Sequence, residues 1–180
     1  MVDPCVWQTV SGPAGIEFRT VHAAAGYSYT LRRTLSLAGR TLVSATELAN
    51  TGSSRLALEW FAHPFFAVPA DGACARLPAG SSIADNPGFA FTGLQLRERR
   101  RFARQDDGHM DTLQLPPAAT LVADLPHPTH GCVRFATDFV PDRCIVWGND
   151  RTFSLEPYLV LDLAPGASRT WSLRYTFGTA

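Results

Sequence analysis

Tyr27-Ser28-Tyr29-Thr30-Leu31-Arg32-Arg33-Thr34-Leu35-Ser36-Leu37 alternates almost strictly between apolar and polar side chains. Tyr27, Tyr29, Leu31, Leu35 and Leu37 fall on one face; Ser28, Thr30, Arg32, Thr34 and Ser36 fall on the other, with Arg33 the single exception on the apolar face. A period of two sustained over this length marks a half-buried β-strand. Working outward, Ala38-Gly39-Arg40 reads as a hairpin turn, residues 41–49 as a second strand, and Asn50-Thr51-Gly52-Ser53-Ser54 as another turn, because Asn and Gly tolerate positive φ. Residues 55–61 continue as a third strand with Leu56, Leu58 and Trp60 on one side. This is an antiparallel meander that ends just before His63.

The C-terminal third repeats the pattern. Residues 131–137, 143–148, 152–156 and 170–177 read as strands; in the last, Trp171, Leu173, Tyr175 and Phe177 alternate with Thr170, Ser172, Arg174 and Thr176. The middle is less regular. Residues 67–90, rich in Pro, Gly, Ala and Ser, read as a long loop. Residues 94–104 carry Arg97, Arg99, Arg100, Arg101 and Arg104 and read as an exposed strand, with a short helix as the alternative. No sustained helical periodicity occurs anywhere. Short strands punctuated by turns, without intervening helices, predict an all-β antiparallel β-sandwich, with residues 1–180 as a single domain.

Composition narrows the function. Net charge is zero and 46% of the residues are hydrophobic, which speaks against nucleic acid or an anionic membrane surface as partner. All sixteen basic residues are arginine, which excludes a lysine Schiff base and a lysine-dependent phosphate loop. Cys5, Cys74, Cys132 and Cys144 form no Cys-x-x-Cys pair and read as buried thiols in a reducing compartment. Met-Val-Asp-Pro at the N-terminus lacks the pattern of a signal peptide, and no apolar stretch approaches the ~20 residues of a membrane span, so a cytoplasmic location is expected.

Two ionisable residues stand out because each precedes a proline: His63 in Trp60-Phe61-Ala62-His63-Pro64-Phe65-Phe66, and Glu156 in Ser154-Leu155-Glu156-Pro157-Tyr158. Proline biases the residue before it to extended backbone and cannot donate to a sheet ladder, so each motif reads as a strand that stops and presents its polar side chain among aromatic rings. An imidazole and a carboxylate so placed suit acid–base work on a polar ring, with Trp60, Phe65, Phe66 and Tyr158 as candidate stacking surfaces. Other constellations read more simply. His127-Pro128-Thr129-His130 reads as a turn before a metal site, and His109 with Asp106, Asp107 and Asp111 reads as a polar exposed loop. The arginine run reads as a solvated face, and Trp147 and Trp171 as core. No metal site is expected.

The order of these motifs resembles the galactose mutarotase-like (aldose 1-epimerase) superfamily. There, paired strands lead through an Asn-x-Gly turn, here Asn50-Thr51-Gly52, to a strand ending in a histidine followed by aromatics, here His63-Pro64-Phe65-Phe66. Downstream, a strand carrying Glu-Pro (Glu156-Pro157) and a Pro-Gly turn (Pro165-Gly166) precede a final aromatic strand. The resemblance implies a shortened version of that sandwich, lacking much of the usual N-terminal half with its sugar-holding arginine and histidine. It implies interconversion of sugar anomers without a cofactor, His63 as general acid, Glu156 as catalytic glutamate, and a free sugar or sugar phosphate as the small-molecule partner. The alternative is a non-catalytic carbohydrate-binding module. Strand edges left open by the short N-terminus are expected to be covered by a second copy, as a homodimer.

Overall fold

The computed structural model describes residues 4–129 and 131–178. Among these residues there is no helix, and so none long and apolar enough to cross a membrane. The chain is an all-β antiparallel sandwich divided into two compact units, one of residues 4–59 and 160–174, the other of residues 60–159 and 175–178.

In the first unit, β1 (Gln8–Gly12), β2 (Gly15–Ala24), β3 (Tyr27–Ala38) and β4 (Thr41–Asn50) form the meander, with the alternating stretch as its centre. The β1–β2 hairpin precedes the strands that the periodicity revealed. Two-residue loops close the later turns, and Ala25 and Gly26 both take positive φ (51° and 83°), the conformation that matches strand twist in tight hairpins. Arg33 lies opposite Phe18 and Thr46, and its Nε donates to Thr46 Oγ1 at 3.2 Å, which accounts for a cation on the apolar face. Arg32, on the other face, bridges Glu17 and Glu47 at 3.4 and 2.8 Å. The outer strand β1 is paired only with β2, and its five residues are exposed and uncharged.

Asn50 ties this unit together. It is buried; its Nδ2 donates to the carbonyls of Ser54 and Leu163 at 2.8 Å each, and its Oδ1 accepts the Gly52 N–H at 3.0 Å. The side chain thus shapes the Asn50-Thr51-Gly52 turn and also holds a carbonyl more than a hundred residues away in sequence.

The second unit packs two layers. One runs in the order β13 (Gly131–Thr137), β12 (Val122–His127), β7 (Ala73–Arg76), β10 (Gln95–Glu98) and β9 (Phe89–Thr92). The other runs β15 (Thr152–Leu163), β14 (Arg143–Gly148), β11 (His109–Gln114) and β8 (Ser82–Ile83), with β6 (Phe66–Ala67) also pairing β15. Phe66 touches Phe135 and Phe153 (ring centroids 5.7 and 5.5 Å apart), and Phe89, Leu96, Leu113, Leu121, Leu125, Val146 and Leu155 are fully buried. Like β15, whose last residues belong to the first unit, β5 (Leu56–Phe61) and β16 (Ser168–Phe177) each contribute residues to both units.

Three expectations change here. Residues 67–90 are not one loop, since β7, β8 and the start of β9 lie within them; the small residues Ala73, Cys74 and Ala75 of β7 are buried, while β8 is not. Residues 94–104 are strand only as far as Glu98. Cys5 is exposed, unlike Cys74 and Cys144, whose thiols burial pushes up to about 12.

Asn50→Ala is expected to lower stability by about 2–3 kcal/mol, because it strands buried backbone groups without partners; the denaturation midpoint falls while the m-value holds. In the native protein at pH 8, maleimide is expected to label Cys5 readily and to reach Cys74 and Cys144 only after unfolding, as peptide mapping would show.

Candidate active site

The site is built on β15 and on residues 62–65, which join β5 to β6. Phe153 pairs with Phe66 across the β15–β6 ladder. Extending that register toward β5 sets Pro157 opposite Ala62 and Glu156 opposite His63. The Ala62 N–H does donate to the Pro157 carbonyl, at 3.4 Å. Glu156 and His63 therefore meet because they occupy facing positions on neighbouring segments. His63 Nε2 lies 3.3 Å from Glu156 Oε1; the imidazole is 38% exposed and the Glu156 side chain only 5%.

Pro157 does not end its strand. β15 runs on to Leu163, and Pro157 pairs with Cys144 of β14. In an antiparallel strand the N–H and C=O of a residue point the same way, so the position lacking a donor faces the 62–65 gap, where the β5 and β6 ladders are interrupted. A proline is tolerated there because no regular ladder bond is lost. Glu156 thus sits inside a strand, not at its end, which explains its burial.

Burying a carboxylate is costly unless it is hydrogen-bonded and paired. Ser154, two residues earlier on the same strand face, donates its hydroxyl to Glu156 Oε1 at 2.6 Å. The other side of the contact is aromatic. The Phe65 ring is 4.5 Å from that of His63, and Trp147, opposite Ser154 on β14, meets His63 and Phe65 edge-on at 5.8 and 6.0 Å. Tyr158, on the Glu156 face, stacks with Phe61 at 4.6 Å and lies under the Arg143 guanidinium at 4.0 Å.

Of the sequence-predicted residues, the structure brings together His63, Glu156 and Phe65, with Tyr158 beside them. It places two elsewhere. Trp60 packs edge-on against Phe139, and Phe66 packs against Phe135 and Phe153, because strand alternation turns both to the opposite face, into the core. Trp147, read from sequence as core, is half-buried at the site. Its alternation with Arg143 and Ile145, once β14 is paired with β15, is the signal that would have revealed it. Ser154 gave no sequence signal.

His127 Nδ1 accepts the Thr129 N–H at 3.2 Å in a turn, while His130 lies outside the described residues. His109 is not in a loop: it begins β11, with its Nε2 buried and 3.6 Å from Asp111 Oδ2. Among the described residues, no group of three or more His, Cys, Asp or Glu side chains is arranged to hold a metal ion. The arginine run is neutralised locally: Arg97 pairs with Asp71, Arg99 with Asp85, Arg100 with Asp107, Arg101 with Glu98, and Arg104 with Asp106.

The sequence matches no protein-family model, and no curated protein matches it. Solved structures do. A galactose mutarotase related enzyme from Lactobacillus acidophilus superposes with a TM-score of 0.71 at 11% identity, over 96% of this chain and 71% of that one. A protein of Synechocystis sp. PCC 6803 gives 0.67 at 15% identity, over 97% and 66%. A galactose mutarotase-like protein from Lactobacillus casei ATCC 334 gives 0.62 at 15% identity, over 95% and 72%. The chain therefore has the galactose mutarotase-like sandwich fold, and it spans about two thirds of the length of these structures.

The Arg100 guanidinium and the Ala103 N–H hold the Asp107 carboxyl well below the usual carboxylate range. A lowered folded value means that this contribution is complete above about pH 4, the unfolded range, and fades as pH falls toward the folded value. Hydrogen exchange of residues 99–107 is expected to quicken, relative to the intrinsic rate, as pH drops below about 4. Asp107→Asn is expected to quicken it already at pH 7.

Proposed function

We propose that this protein is an aldose 1-epimerase-like isomerase, with Glu156 as base and His63 as acid. The observation that carries the reading is the 3.3 Å contact between His63 Nε2 and Glu156 Oε1, set in an aromatic surround on a mutarotase-like fold. In this reading the Glu156 carboxylate takes the proton from the anomeric hydroxyl, and protonated His63 gives one to the ring oxygen as the C1–O5 bond breaks. Rotation about C1–C2 presents the other aldehyde face. Ring closure then returns both protons, so the cycle balances without a redox partner. Phe65 and Trp147 supply apolar surface for the sugar ring beside this pair. Phosphorylated and free sugars both remain within the substrate class. Four cysteines free of disulfides fit action in the cytoplasm.

The burial of Glu156 beneath His63 favours a second reading, a carbohydrate-binding module in which the pair only anchors a sugar. The two readings part in a single assay. Wild-type protein is expected to speed equilibration of fresh α-glucose or α-galactose, followed by optical rotation or exchange NMR. His63→Asn and Glu156→Gln are each expected to cut the rate at least 10²-fold, the scale of a lost acid or base, with folding intact by circular dichroism. Sugar binding without acceleration would establish the module instead.

A further inference from the structure

We propose that Ser154 is a positioning residue for Glu156, an inference that rests on the epimerase reading of this site. Ser154 is fully buried, and its hydroxyl is 2.6 Å from Glu156 Oε1, the same oxygen that faces His63 Nε2. Adjacent alternate positions on β15 give the two side chains one strand face, so this contact is fixed by backbone geometry rather than by a flexible arm. Trp147 lies directly across the ladder from Ser154 and closes the site on that side.

The chemistry follows from these positions. A hydroxyl donating to a carboxylate is a short, charge-assisted bond with a defined direction. By holding Oε1, Ser154 fixes the plane of the carboxylate and hence the direction in which its second oxygen points. A base held within a fraction of an ångström of its working position needs such support from the surrounding residues. No proton leaves Ser154 for the substrate; its role is exerted through Glu156.

The test compares the mutarotation kcat and KM of wild type, Ser154→Ala and Ser154→Thr, with folding followed by circular dichroism. Ser154→Ala is expected to lower kcat by about 10- to 100-fold, the loss of one hydrogen bond to a charged group, with KM little changed. Ser154→Thr, which keeps the hydroxyl, is expected to restore kcat. Should Ser154→Ala not fold, Ser154→Cys, close in size with a much weaker donor, takes its place. An active wild type with unchanged kcat in the alanine variant overturns the role of Ser154 alone. An inactive wild type overturns the epimerase reading and this role with it.

Discussion

The site depends on one register. Because Phe153 faces Phe66 and the Ala62 N–H reaches the Pro157 carbonyl, the interrupted edge formed by β5 and β6 brings residue 63 to residue 156. The missing donor of Pro157 points to the same interruption. One break in a ladder thus solves two problems: it accommodates a proline within a long strand, and it frees residues 62–65 to carry an imidazole and an exposed phenyl ring over the sheet. A slip of one residue would turn Glu156 into the core, where a carboxylate has no partner.

Around that register the carboxylate is satisfied by short-range means. Ser154 reaches it from the same strand face, and His63 from the adjoining segment. Neither contact relies on the arginines, although the chain has sixteen. The arginines of residues 97–104 are instead matched one to one with acids, so the densest cluster of charge in the sequence is locally neutral. The candidate site is the imidazole–carboxylate contact of His63 and Glu156, edged with the rings of Phe65 and Trp147.

Much of this was legible beforehand, for identifiable reasons. β3 alternates apolar and polar side chains along its length, and that period is a local property of the sequence; the buried positions of the meander lie elsewhere, at Thr20 of β2 and at Thr46, Leu48 and Asn50 of β4. His63 and Glu156 were conspicuous because a polar residue before proline, among aromatics, is unusual. The short strands β7, β8 and β9 are two to four residues long, too short for a period of two to stand out from the Pro-, Gly- and Ser-rich sequence around them. Trp60 and Trp147 change places between sequence and structure: Trp60 packs against Phe139, and Trp147 stands beside His63. Both lie in aromatic-rich strands, and only pairing with a neighbour fixes which face is which.

The sequence by itself determined an all-β architecture, the order of its main strands and the two ionisable residues of interest, because these follow from local periodicity and from the fixed chemistry of proline. The tertiary structure alone decided that β15 continues through Pro157, that His63 and Glu156 share one contact, and that Ser154 and Trp147 join them. Those facts concern which strand lies beside which, and in what register. Pairing between distant strands is governed by the packing of the whole sheet, and no window of sequence contains it.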